Sequence, residues 1–247
     1  MTPVFFDAHC HIGNNETYPP CTSSIVGRLL CGISPNDWFL TKDAADSDPA
    51  TIPAFGLHPW EITKAPDDWL ETLGTLLAST PGAWLGEVGL DKARRGLPPL
   101  EEQKSVLAKQ LNCARKLKRP ACLHCVKAHE EILPLLDREY LSGKPRPFIM
   151  HAFTGSENYV KALAKRGAYF SVGSDAMRRD NMRVVESLSA IPDDRLLIES
   201  DDAISRSNTG QDGMSVDMSE LAEIRCVKRE LLAESILNNS RRLFLEL

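Results

Sequence analysis

Two spacings of apolar residues alternate along this chain. Short apolar runs bounded by Gly, Pro, Asn or Asp read as buried strands, and most are followed by stretches with apolar residues every third or fourth position, the spacing of one helix face. The first run, Val4-Phe5-Phe6, leads into Asp7-Ala8-His9-Cys10-His11. The loop from Gly13 to Pro20 leaves little room for a helix before a second strand at about Arg28 to Ile33. A helix from about Pro35 to Ala45, with Ser34 as its N-cap, precedes the third strand, Thr51 to Leu57. Pro66 to Ser79 is amphipathic, with Trp69, Leu70, Leu73, Leu76 and Leu77 on one side. The fourth strand, Ala83 to Val88, is followed by the longest helix, Leu100 to Lys118, whose inward stripe is Leu100, Leu107, Leu111 and Ala114.

The alternation continues through the second half. Pro120 to Cys125 is the fifth strand, and the helix after it is interrupted or kinked by Pro134. Pro147 to His151 is the sixth strand, after which Thr154 and Glu157 form a capping-box pattern for a helix ending at Gly167. Ala168 to Val172 is the seventh strand, Arg178 to Ala190 its helix, and Arg195 to Ser200 the eighth strand. A polar loop then leads to a helix opened by Asp217 and Glu220, and a last short helix begins at about Asn239. Eight strands alternating with helices, without a linker-like break, predict a single (β/α)8 TIM barrel over residues 1–247, with a shortened first strand-to-strand connection.

Composition narrows the setting. At 43% hydrophobic residues, 247 residues are enough for a large core. No apolar run reaches membrane-spanning length and no basic-then-apolar leader opens the chain, so a cytoplasmic protein without membrane contact is expected. Seven cysteines without regular spacing fit a reducing compartment. The single C-x-x-C, Cys122 to Cys125, lacks a second pair for structural zinc and reads as strand. A net charge of −5 argues against broad coating of nucleic acid, though not against gripping one strand end.

Candidate chemistry lies at the ends of the predicted strands. Side chains alternate along a strand, so Asp7, His9 and His11 share a face. Later strands end in Glu87, His124, His151 and Asp201. In a parallel barrel all strand ends open at one mouth, where active sites are found. Four imidazoles and two carboxylates exceed the needs of one tetrahedral ion and suit two divalent ions with a bridging carboxylate. Any one of these residues alone reads as an ordinary polar strand end; the full set does not.

Asp-x-His-x-His, Gly-x-His-Pro, Gly-Glu-Val-Gly-Leu-Asp, Leu-His, His-x-Phe-Thr-Gly-Ser and Glu-Ser-Asp, in this order, resemble the TatD family of metal-dependent hydrolases, among the amidohydrolase-like barrels. The resemblance runs from Asp7 to the Asn239–Phe244 ending. It implies a TIM barrel, two divalent ions (Zn, Mn or Mg) and, for many members, deoxyribonuclease activity. By it, His9, His11, Glu87 and Asp201 hold one ion and Glu87, His124 and His151 the other, while His58 contacts substrate. Metal coordination can lower the pKa of water from 15.7 to about 7. Asp201 is then the candidate to orient that water and take its proton, and Glu199, on the same strand face, either supports it from behind or is a buried structural carboxylate with its own hydrogen-bond partners.

The sequence departs from the family pattern where substrate sits. Val126 stands where many members carry Arg, and Asp201-Asp202-Ala203 stands where Pro usually follows closely. Basic residues near the predicted mouth, Lys92, Arg94 and Arg95 above all, with Lys127, Arg178 and Arg179, are candidates to receive a phosphodiester. The expected function is a hydrolase cutting nucleic acid, most simply DNA, from an end. Hydrolysis of an ester, amide or lactone is the alternative, and a catalytically silent metal-binding protein ranks last because every ligand is present.

Overall fold

The computed structural model describes residues 4–12, 21–143, 146–177, 182–201 and 207–246. The strands are β1 (Phe5–His11), β2 (Ile25–Gly32), β3 (Thr51–Phe55), β4 (Trp84–Asp91), β5 (Ala121–Val126), β6 (Phe148–Met150), β7 (Ala168–Val172) and β8 (Leu196–Ile198). They form one eight-stranded sheet in sequence order. With the helices between them they make the (β/α)8 barrel that the sequence predicts. Among the described residues no helix lies between β1 and β2, as expected of a shortened first connection; the loop of residues 13–20 lies outside them.

The chain divides into two compact units, Leu30–Met150 and Met1–Leu29 with His151–Leu247. In the first, α1 (Pro35–Ser47), α2 (Trp69–Ser79), α3 (Leu100–Leu117) and α4 (His129–Leu135) alternate with β3 to β6. The N-cap of α1 is Ser34, but its hydroxyl donates to the Asp37 carboxylate, at 2.8 Å, and accepts no backbone N–H of the first turn. α4 runs through Pro134 and then widens into a π-helical turn, Leu136–Tyr140. β4 and β5 are parallel, and their register shifts between Leu85 and Val88 so that β4 holds one residue more than its partner. Such a bulge re-aims a side chain, here Glu87. Gly89 pairs with His124, and a Cβ there would lie 1.9 Å from the His124 carbonyl oxygen, so only glycine permits this approach.

α3 does more than bury Leu107, Leu111 and Ala114. Two glutamines on its buried face, Gln103 and Gln110, act as clamps. Gln110 accepts the Leu57 N–H at 2.7 Å and donates to the Leu57 carbonyl at 3.0 Å. Gln103 does the same to Asp91, at 2.9 and 3.1 Å. These bonds satisfy strand-end backbone groups that the sheet leaves open and fix the chain beside His58 and at Asp91.

In the second unit, α5 (Glu157–Ala164), α6 (Met182–Ala190), α7 (Ser207–Ile224) and α8 (Arg229–Phe244) accompany β1, β7 and β8. Three boundaries differ from the sequence reading. α5 is capped at Ser156, without a side-chain bond, so Thr154 and Glu157 form no capping box. α7 starts ten residues before Asp217, and α8 starts at Arg229, well before Asn239. Asn239 lies inside the buried stripe of α8 with Leu232, Ile236 and Leu243, and its amide donates to the carbonyls of Asp193 (2.7 Å) and Leu196 (2.9 Å). Phe244 stacks on Phe6 of β1 at 4.2 Å. Among the described residues no helix is long and apolar enough to cross a membrane.

Candidate metal centre

The ligand candidates sit where the strand order puts them. In the unit that contains β1 and β8, the Nε2 atoms of His9 and His11 lie 2.9 Å apart, with Asp201 Oδ1 at 3.4 Å from His9 and 3.5 Å from His11. Nitrogen and oxygen ligands about 2.1 Å from an ion stand roughly 3.0–3.4 Å from each other in octahedral or tetrahedral geometry. The triangle therefore fits one divalent ion as it stands. His9 is buried, His11 half-buried and Asp201 exposed, so the ion's position is reachable from solvent.

Asp7 holds this triangle in place. Its carboxylate accepts the Ser200 N–H (2.9 Å), the Ser200 hydroxyl (2.6 Å) and, at 3.3 Å, the His9 N–H. Asp201 in turn donates its N–H to the His9 carbonyl at 3.0 Å. Asp201 adopts a left-handed backbone, φ 50°, which a non-glycine residue keeps only when its surroundings enforce it. Burial raises the pKa of Asp7 and the Ser200 bonds oppose that rise. Asp7→Ala leaves the Ser200 and His9 donors without this acceptor. We expect it to lower stability by about 1–3 kcal/mol and to reduce metal retained at the triangle, as read by denaturant melting and elemental analysis; unchanged metal content would limit Asp7 to a folding role.

His151, just past β6, stacks on His9 with ring centres 4.0 Å apart. Behind it lies Glu199, fully buried, with Oε1 3.9 Å from His151 Nδ1. Glu199 accepts the Ala152 N–H at 2.7 Å and a short hydrogen bond from the Ser171 hydroxyl. Burial lifts its carboxyl to a pKa of about 7, although His151 and His9 pull the other way. β8 ends at Ile198, so Glu199 does not share a strand face with Asp201 as the sequence suggests; its carboxylate lies against His151 and the backbone at Ala152.

The Leu30–Met150 unit carries a second cluster. Glu87 Oε1 has His124 Nδ1 at 2.8 Å and His58 Nε2 at 3.2 Å, and all three residues are buried. Their ligand atoms are close enough to share an ion. Read from sequence as a substrate contact, His58 is found against Glu87; its Nδ1 accepts the Trp60 N–H at 3.2 Å, which places the proton of the neutral ring on Nε2. Asp91, in sequence only the last residue of the Gly-Glu-Val-Gly-Leu-Asp motif, lies 3.6 Å from His124 Nε2. Its carboxylate accepts the Trp60 indole N–H (2.8 Å) and the N–H groups of Ala93 (2.7 Å) and Arg94 (3.1 Å). Burial opposes these bonds but loses to them, and the Asp91 pKa is driven down. Of the basic candidates, Lys92 pairs with Glu131 at 2.7 Å, Arg94 lies over the Trp60 ring at 3.9 Å, and Arg95 and Lys127 are exposed. Arg178 and Arg179 lie outside the described residues.

The protonation of His124 gives a pH-dependent signature. Burial lowers the pKa of its ring, but the Asp91 carboxylate nearby and the hydrogen bond to Glu87 prevail and raise it from 6.5 to about 9 in the metal-free protein. Because the folded value exceeds the unfolded one, the charged ring contributes stability that is fully present below pH 6.5 and is lost as pH rises through about 9. A metal ion requires the neutral ring, so loading expels that proton. We expect the metal-free protein to melt earlier as pH climbs across this window. Zinc titration at pH 7 in buffers of different ionisation enthalpy is expected to show proton release that His124→Gln diminishes.

The sequence profile of the TatD-related DNase family matches residues 6–245. The chain belongs to this family. Its relatives include the 3'-5' ssDNA/RNA exonuclease TatD of Salmonella typhimurium, 31% identical over 180 residues, or 72% of this chain and 68% of that protein. Another is the uncharacterized metal-dependent hydrolase YjjV of Escherichia coli, 27% identical over 256 residues, or 97% of each chain. The crystal structure of YjjV superposes with a TM-score of 0.83 at 22% identity over 99% of both chains. A TatD-family hydrolase from Entamoeba histolytica does so with 0.80 at 15% identity over all of both. These likenesses confirm the family's barrel. Membership makes this chain a metal-dependent hydrolase, and the buried His and Glu clusters are of the kind such an enzyme needs.

Proposed function

We propose that this protein hydrolyses phosphodiester bonds at the end of a single-stranded nucleic acid, DNA first, with two divalent ions. The observation that carries the reading is the triangle of His9, His11 and Asp201, whose donor separations match one ion's coordination sphere. Glu87 and His124 would hold the second ion, with His58 orienting Glu87. Imidazole and carboxylate donors together suit zinc, manganese or magnesium. Divalent ions so held would lower the pKa of bound water toward neutrality and offset charge developing on the phosphate oxygens. The chain's own contribution is positioning and proton transfer. Asp7 and Ser200 fix Asp201, and Asp201 orients the attacking water and accepts its proton. The activity of the Salmonella relative on ssDNA and RNA supports this choice of substrate.

The test is turnover of metal-reconstituted protein on end-labelled single-stranded DNA beside a panel of esters, lactones and amides. Stepwise shortening of the DNA is expected. Hydrolysis of an ester or amide with no cleavage of DNA under zinc, manganese or magnesium would replace this reading with acyl hydrolysis by the same residues.

A further inference from the structure

Trp60 is the one exposed large aromatic side chain among the described residues that is bonded into a candidate ligand cluster. Of the other tryptophans, Trp38 and Trp84 are buried core residues, and Trp38 donates its indole N–H to the Gly56 carbonyl. Trp60 is 37% exposed, although the groups it leans on, His58, Asp91 and His124, are all buried. Three contacts orient it. Its backbone N–H is bonded to His58, its indole N–H donates to Asp91 at 2.8 Å, and its ring stands edge-on to His58 and His124, with centres 4.8 and 6.0 Å away. An indole tied at its nitrogen and packed at its edge presents its face at the rim of the cluster.

What already lies on that plane indicates what it takes. The Arg94 guanidinium, a flat cation, sits 3.9 Å above the ring centre. Nucleobases stack on the same kind of surface, and stacking tolerates any base because each has a π face. We infer that Trp60 is the platform for an unpaired base beside the bond to be cut, and so a determinant of specificity for single-stranded ends. This rests on the phosphodiester reading given above. The base takes the place of Arg94, and the released guanidinium remains next to that nucleotide's phosphate. The terminal base of a duplex keeps one face open but is held by its pairing partner and by the neighbour beneath it, so a duplex end is a poorer occupant than a frayed or single strand.

The experiment compares two oligonucleotides that differ only in whether the 3'-terminal nucleotide carries its base. Both turnover and equilibrium binding, by fluorescence anisotropy, are read with metal-loaded protein. Wild type is expected to favour the base-bearing strand by about tenfold, the order of one stacked base, mainly in KM and Kd. Trp60→Ala is expected to lose more on the base-bearing strand than on the abasic one, so that the two converge. Trp60→Phe, which keeps a ring but not the bond to Asp91, is expected to recover part of the preference, and guards against a mere folding defect in the alanine variant. A protein that cuts DNA but keeps its full preference in Trp60→Ala overturns the platform and leaves the phosphodiester reading intact. Base-dependent binding abolished by Trp60→Ala, but with no cleavage, upholds the platform and overturns the nuclease.

Discussion

Asp201→Asn is expected to cut turnover by about 10²–10⁴ at saturating metal, the usual cost of losing a general base. The substitution keeps the side chain's size and an oxygen that can still face His9 and His11, 3.4 and 3.5 Å away in the native protein. What it removes is the negative charge and the capacity to accept a proton from water. The backbone at Asp201 is held by the His9 carbonyl and by the Asp7–Ser200 bonds, none of which involves the substituted side chain. The fold and the left-handed turn are thus expected to survive, which makes turnover the quantity that responds. Near-normal turnover would transfer the proton to another group. Glu199 is next in line, with a pKa of about 7, although both of its oxygens are already engaged by Ala152 and Ser171.

The second large effect concerns Glu87. It stands between His58 and His124 and is almost fully buried, so Glu87→Ala leaves two imidazoles facing a cavity where a carboxylate stood. Removing one partner of a buried charged cluster is strongly destabilising, commonly by about 3–5 kcal/mol. The His124 pKa is expected to fall back from about 9, since Glu87 is one of the two carboxylates that raise it. Bound metal is expected to drop from two ions per chain to one or fewer, and activity with it. Elemental analysis of dialysed protein, together with an NMR titration of the His124 ring, reads both consequences. Two ions retained by Glu87→Ala would remove this residue from the ligand set.

The barrel was readable because its signal is repeated. Eight apolar runs, each followed by helix-spaced residues except after the first, survive errors of a few residues at any boundary, and the candidate ligands stand out because strand ends are where such folds place their sites. What escaped notice depends on pairs distant in sequence. Asp91 looked like the last residue of a motif, and only its approach to His124, Trp60 and Gln103 reveals that it steadies the cluster. Trp60 carries no signal in the sequence because its partner is thirty-one positions away. Gln103 and Gln110 could have been found: polar residues on a buried helix stripe signal backbone groups in need of partners. Asn239 misled for the same reason, interrupting an apolar stripe that in fact continues on both sides of it. The capping box failed because Ser156, nearer the first turn, takes the N-cap position, and a three-residue spacing alone does not choose between them.

Anomalous scattering from crystals soaked in manganese or zinc tests the metal centre most directly. The account predicts one peak about 2.0–2.2 Å from His9 Nε2, His11 Nε2 and an Asp201 oxygen, and a second beside Glu87 and His124. Fully loaded crystals with no peak at the His9–His11–Asp201 triangle would contradict it.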